Sequence, residues 1–459
     1  MSVIPISTRS AGAAPLVLAV LAIAAPAPLA LAQTLPEGGL SSSSCSSSSA
    51  ATPPASPPDG ALSLADAITA ALARSPQLEP LAAELAVRGA ERHTAALSPN
   101  PTLTLEQENF AGTGATRAWR SSETTLALEQ VLELGGKRAR RVRVAELARE
   151  VTSWDHAATR AEVVRDTAEA FVRALAAGER VTRARERVEI ESALRDALSR
   201  GVRSGAVSTV DERRAAFALI RSRGELDDRV RDHEAARRAL AATWGERELG
   251  STSIRGDLAI PAAPPSLDDA LERMGETPEV ARWETEIAER EAALALEAAR
   301  AIPDLSVGAG ARFLADGDDV AMVASIGVPL PLFDRNRGAI DAAHHQRERA
   351  IAQAHAARAA RASEIRAAHQ RLVAAHARDA TLRTSLIPEA EALHRDIRDA
   401  YHRGLSRLSD VLEAERALSE LHLEAIDVRE SYHLAALALP ALLDLAGPRA
   451  GTTAMGDRP

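Results

Sequence analysis

Asp410 and Glu413 stand three residues apart within a helical pattern, which places both carboxylates on one helix face. Two acids so placed can attract cations. The matching stretch around Asp211 has Arg214 in place of the second acid. Twelve histidines invite a metal reading. His355, His369 and His376 share a heptad face, yet neighbours seven residues apart lie about 10 Å apart along a helix, too far for one ion with bonds of about 2 Å. No two histidines are four residues apart, and the adjacent His344 and His345 point in different directions, so no metal ligand is assigned. Gly135-Gly136-Lys137 suggests part of a phosphate loop, but Val131 stands where the first glycine is required and Arg138 where Ser or Thr belongs. With no metalloprotease motif, nucleophile elbow or cysteine nucleophile in the folded region, the expectation is no enzyme and no cofactor.

These residues belong to a chain that repeats itself. Ser63-Leu64-Ala65-Asp66-Ala67, Ser75-Pro76 and Pro101-Thr102-Leu103-Thr104-Leu105 return as Ser266-Leu267-Asp268-Asp269-Ala270, Thr277-Pro278 and Pro303-Asp304-Leu305-Ser306-Val307. Further on, Gly205 to Asp211 is answered by Gly404 to Asp410. A period this long exceeds the roughly 20–50 residues of solenoids and marks two pseudo-equivalent halves of one architecture.

After each proline the apolar residues alternate. Leu103 and Leu105, then Leu126 and Leu128, alternate with Thr and Glu; Leu305 to Phe313 and Val320 to Val328 do so more cleanly across the turn Asp316-Gly317-Asp318. Period two predicts strands with one apolar and one polar face. Strands of about ten residues cross a bilayer when tilted, and two isolated hairpins make no stable soluble sheet. The rest reads as long helix. Arg337 to His402 is interrupted only by Pro388, which should kink the helix without ending it. Ile351, Ile365, Leu372, Leu386 and Leu393 share one heptad position, and Val411 to Leu442 keeps three-four spacing, which predicts coiled-coil seams. Ser75-Pro76 should begin a new helix with proline at its first position.

Composition fits that picture. Of 459 residues, 46% are hydrophobic but only 2% aromatic, which suits close helical seams better than a bulky core. A net charge of −9 argues against nucleic acid as partner. Residues 1–32 read as a secretory signal peptide, 33–60 as a disordered Ser/Pro-rich leader, and 447–459 as a flexible tail. Cys45, the single cysteine, excludes an internal disulfide and is a candidate for lipidation, although Ser42-Ser43-Ser44 replaces the apolar residue expected before it. No later run is long and apolar enough for a membrane-spanning helix, so a membrane would be crossed as strands.

From Leu62 to Ala446 the chain resembles the TolC-type outer-membrane efflux proteins. The resemblance rests on Gln130-Val131-Leu132-Glu133-Leu134-Gly135-Gly136-Lys137-Arg138, on Val328-Pro329-Leu330-Pro331-Leu332-Phe333-Asp334-Arg335-Asn336-Arg337-Gly338 and on Tyr401 to Leu412. The two post-hairpin motifs are most similar to the CzcC-like heavy-metal cation efflux subunits. The resemblance implies a mainly α fold with two β-hairpins, a duplicated TolC-like fold whose homotrimer forms a twelve-stranded outer-membrane β-barrel continuous with a periplasmic coiled-coil barrel. It implies repeats at 61–250 (hairpin about 102–130, tip about 201–208) and 266–446 (hairpin about 304–328, tip about 402–408), joined by a linker at 251–265. Partners would be a periplasmic adaptor, an inner-membrane RND-type pump and outer-membrane lipid. Asp410, Glu413 and Asp211 match the periplasmic constriction. Gly205, Ala206 and Val207 with Gly404, Leu405 and Ser406 match the adaptor-docking tips, where exposed Val207 and Leu405 would serve as apolar anchors. Lys137, Arg138, Arg140, Arg141, Arg335 and Arg337 would face lipid headgroups at the membrane interface. The implied function is an exit duct for divalent metal cations. The alternatives are the same duct serving drugs, organic toxins or type I secretion, and a secreted coiled-coil scaffold without a pore.

Overall fold

The structure is a computed structural model that describes residues 61–261 and 264–440. The expected signal peptide and leader, Cys45, the tail and Leu442 lie outside the described residues. The first half comprises β1 (Ala61–Leu62), α1 (Leu64–Arg74), α2 (Glu79–Ala95), β2 (Thr102–Glu108), β3 (Glu123–Leu132), α3 (Lys137–Arg203) and α4 (Thr209–Ala242). The second comprises β4 (Ser253–Ile254), α5 (Leu267–Glu272), α6 (Pro278–Arg300), β5 (Leu305–Leu314), β6 (Asp319–Gly327), α7 (Arg337–Thr381), α8 (Ile387–His402) and α9 (Leu408–Leu437).

The repeated sequence motifs are helix starts. Ser63 Oγ accepts the Asp66 N–H while Asp66 accepts the Ser63 N–H, and Ser266 Oγ accepts the Asp269 N–H. Thr277 precedes α6 with Pro278 at its first position. The Ser75-Pro76 expectation needs correction. Ser75 closes α1, and α2 starts only at Glu79, with Pro80 in its first turn. The intervening turn lets Leu78 join the cluster of Ala67, Ala71, Phe171, Leu240 and Trp244.

α3 runs 67 residues without interruption, about 100 Å at 1.5 Å per residue. It touches α1, α2, α4, α6 and α9, while α7 touches α5, α6 and α9. The cluster that binds α1 to α3 and α4 has its counterpart in Ala270, Ile365, Leu372, Tyr432 and Leu439, which bind α5 to α7 and α9. The linker is not a free strap. Ser253 and Ile254 pair in parallel with Ala61 and Leu62, and Leu258 is buried against Val172, Ala176 and Ile426.

Pro388 acts less simply than a kink. The turn Leu382–Leu386 just ahead of it is a π-helix. Proline lacks an N–H and would clash with the carbonyl four residues back, so a wider turn relieves both problems. One residue is thereby added to the spacing. Ile365, Ala368, Leu372, Ala375 and, at the first position of the turn, Leu382 are buried; after it Ala390, His394, Ile397 and Tyr401 are among the half-buried positions. Leu393, read from the sequence as a seam residue in register with Ile365, is therefore exposed, and His394 instead pairs with Glu415 at 2.9 Å.

Candidate functional site

The two hairpins join through β3 and β5 into one antiparallel sheet of order β2-β3-β5-β6. Directly opposed residues in such a sheet share a face. The register sets Leu103 opposite Leu128, Leu128 opposite Ala309 and Ala309 opposite Ala324; Val307 faces Ile326 and Ala311 faces Met322. One face is thus apolar across all four strands. It is open, with Leu105, Ile326 and Met322 keeping 71%, 78% and 82% of their surface. The other face carries Thr104, Glu106, Thr125, Glu129, Ser306, Gly308, Arg312 and Ser325. Arg312 there donates to Glu123 at 2.8 Å and to Thr125 Oγ1 at 2.9 Å. Gly310 also lies on that face, where a Cβ would stand 2.3 Å from the Leu126 carbonyl oxygen, so the close approach of β3 admits only glycine.

Each long helix begins from a left-handed residue, Gly136 (φ 70°) before α3 and Asn336 (φ 58°) before α7. Asn336 donates its side-chain amide to the Glu297 carbonyl at 2.7 Å. At the first junction two interface expectations are corrected. Lys137 is buried and bonds Asp304 Oδ1 at 2.7 Å, and Asp304 also accepts the Leu134 N–H at 3.0 Å. Burial pushes the Asp304 carboxyl up, but Lys137 and the Leu134 N–H outweigh it and hold it below the ordinary range. Arg141 pairs with Glu133 and donates to the Leu97 carbonyl. A buried cation such as Lys137 needs a partner, and the partly buried Arg141 is held by Glu133 and Leu97, so both tie the junction together. Arg138, Arg140, Arg335 and Arg337 remain exposed.

Both tips close in the same way. Gly205 (φ 76°) and Gly404 (φ 75°) follow α3 and α8 in the left-handed region. Ala206 N–H bonds the Gly201 carbonyl and Gly205 N–H the Val202 carbonyl; Leu405 N–H bonds the Ala400 carbonyl and Gly404 N–H the Tyr401 carbonyl. This is the Schellman pattern, which needs glycine at that turn. Leu405 is 74% exposed. Val207 differs from its expected exposure. It folds back over Gly201 and packs with Leu198, Ala215, Leu408 and Tyr401, because a valine beside that apolar cluster gains more by burial than in water. The same cluster joins the two tips.

Asp211 and Asp410 occupy equivalent positions, three residues after Ser208 and Arg407 at the starts of α4 and α9. Asp410 accepts the Arg407 backbone N–H at 3.0 Å and lies 3.1 Å from Ser409 Oγ; these bonds hold its carboxyl below the ordinary range. Glu413 is exposed one turn further along. Asp211 lies 3.6 Å from Arg214. Burial, and then the Asp211 charge, raise the Tyr401 phenol.

One constellation escaped the sequence reading. Within α7, His345 Nδ1 lies 2.9 Å and His344 Nδ1 3.7 Å from the Glu348 carboxylate. One nitrogen from each ring and a carboxylate oxygen all fall within 4.8 Å of one another. Adjacent helical residues do point apart, but Glu348, four residues after one and three after the other, sits between them. A search for His–His spacing alone passes over such a set.

An open apolar face on a four-stranded sheet, at one end of long helices that reverse at glycine tips, defines a TolC-like channel that meets lipid with strands. Among the described residues no helix is long and apolar enough to cross a membrane. The chain belongs to the outer membrane efflux protein family, whose pattern matches residues 67–246 and 268–444, once per half. It is 30% identical over 388 residues to the cobalt-zinc-cadmium resistance protein CzcC of Cupriavidus metallidurans, covering 84% of this chain and 90% of that one. With the nickel and cobalt resistance protein CnrC of the same organism it shares 29% identity over 59% of this chain and 64% of the relative. The fold matches the outer membrane protein VceC of Vibrio cholerae with a TM-score of 0.68 at 18% identity, over 84% of this chain and 96% of that one. Family and fold place the protein in the outer membrane and are those of efflux channels, not of enzymes.

Proposed function

We propose that this chain is the outer-membrane exit duct of a tripartite efflux system and passively conducts divalent heavy-metal cations delivered by an inner-membrane RND-type pump through a periplasmic adaptor. The observation that carries this reading is the sheet. Its apolar face is open, and its edge strands β2 and β6 are each paired on one side only. Lipid tolerates no free strand edge. Four strands cannot close a barrel, whereas three copies pool twelve. A homotrimer would then surround one lumen with the polar faces carrying Arg312 and Glu129. Beneath it the helices would form the periplasmic barrel.

In that trimer Asp410 and Glu413, with Asp211, would gather at the periplasmic constriction and favour cations. The Gly205–Val207 and Gly404–Ser406 turns would face the adaptor, with Leu405 as the exposed anchor. The cation cargo is supported by the relatives whose names concern cobalt, zinc, cadmium and nickel. The test is deletion of the gene, with tolerance to zinc, cobalt, cadmium and copper measured beside dyes and antibiotics. Metal sensitivity rescued by the plasmid-borne gene is the expected result; sensitivity to dyes or antibiotics alone would move the cargo to organic compounds.

A further inference from the structure

The His344, His345 and Glu348 cluster lies about two turns into α7, just beyond the sheet-to-helix junction. From the placement of its donors we propose that it is a binding site for a borderline divalent cation of the zinc, cobalt and nickel class, open to solvent and exchangeable.

Two imidazoles and one carboxylate are the donors such cations prefer, and three protein donors leave positions for water. Ligand atoms on one ion with bonds of about 2.1 Å stand roughly 3–4 Å apart. The three atoms here already fall within 4.8 Å, so small side-chain rotations close the set. All three residues are exposed, which makes such rotations easy and leaves an entry path. The surrounding charges are mixed. Arg347, within the same stretch, is drawn away to Glu291 of α6 at 2.8 Å. Asp341 lies one turn earlier on the side of His344 and His345 and adds negative charge. Arg349 lies one turn beyond His345 on the same side and adds positive charge, which Asp341 and Glu348 offset.

The inference rests on local geometry and stands apart from the duct reading, so the test measures binding without transport. The full-length protein in detergent, first stripped with a chelator, is titrated with Zn2+ by calorimetry and with Co2+ by visible absorption. The wild type is expected to bind about one more equivalent per chain than His344→Ala/His345→Ala, and Co2+ should give ligand-field bands that the double variant lacks. Glu348→Gln, which keeps both imidazoles, should weaken binding about tenfold or more. His355→Ala, an exposed histidine further along the same helix, should change nothing. Equal stoichiometry and affinity in the wild type and the double variant, or no binding by the wild type, would overturn the site. An equal loss in His355→Ala would overturn it as well. Unchanged circular dichroism and assembly in the variants separate loss of ligands from loss of fold.

Discussion

The two strand-to-helix junctions occupy equivalent places and are built differently. The first turns through two left-handed glycines, Gly135 and Gly136, and is tied by the buried pair of Lys137 and Asp304. The second passes through Val328-Pro329-Leu330-Pro331-Leu332-Phe333, all of it exposed, and is fixed by Asn336 reaching Glu297. Duplication kept what the backbone demands, a left-handed residue immediately before each long helix. It released what only packing and charge decide. The tips teach the same lesson in reverse, for there the Schellman glycine is kept in both halves while the second acid survives in one.

The comparison predicts its own largest asymmetry at Lys137 and Arg337, which begin the two long helices. Lys137→Ala should cost about 2–3 kcal/mol, because it removes a buried cation and leaves Asp304 without its main partner. Arg337→Ala, at an exposed position, should stay within about 0.5 kcal/mol. Heat dissociation of the assembled protein, followed by gel mobility, would read both, and equal losses would break the contrast. Because the Asp304 carboxyl is held below its unfolded value, its contribution should be full at neutral pH. It should be lost only as pH falls through that lowered value.

Next in size are the junction glycines. Gly135→Ala combines a positive φ with a Cβ 2.8 Å from Ile302 Cδ1 and should cost about 1–2 kcal/mol or more. Gly136→Asn borrows the residue used by the second half, has open space and should be nearly silent in the same assay. At the tips, Gly205→Ala and Gly404→Ala should cost about 1 kcal/mol each and nearly equally, since both turns carry the same bonds. A large difference in their melting shifts would mean that the two tips do not share one design.

The acidic pair bears on conduction, although Asp410→Ala also removes a bond that caps α9. Asp410→Ala with Glu413→Ala should raise single-channel conductance in planar bilayers and lower cation selectivity, whereas Asp211→Ala alone should have less effect because Arg214 already offsets its charge. Unchanged conductance in the double variant would remove the constriction from the second half. Val307→Arg probes what the halves share. A charge in the apolar band should cost about 2–4 kcal/mol at the membrane midplane and block assembly, while a soluble scaffold would be indifferent.

Much of this was legible in the chain because period and punctuation are local properties. Alternation from Leu305 to Val328 names two strands and their apolar face, and the glycines at 205 and 404 name the turns. Less legible was what depends on distant neighbours. Lys137 reads as one member of a basic run until Asp304, in the other half, is set beside it. Val207 reads as an exposed tip residue until α9 brings Leu408 to it.

By itself the sequence determined the duplication, the strand faces and the glycine turns, because each depends on backbone conformation or on residues a few positions apart. Only the tertiary structure decided the order in which the hairpins join, the partners of Lys137 and Arg141, and the phase of α8. That last case states the reason most clearly. Pro388 announces a disturbance, but whether the helix bends, breaks or widens by one residue depends on which outcome best buries Leu382 and aligns His394 with Glu415, and no local pattern records that sum.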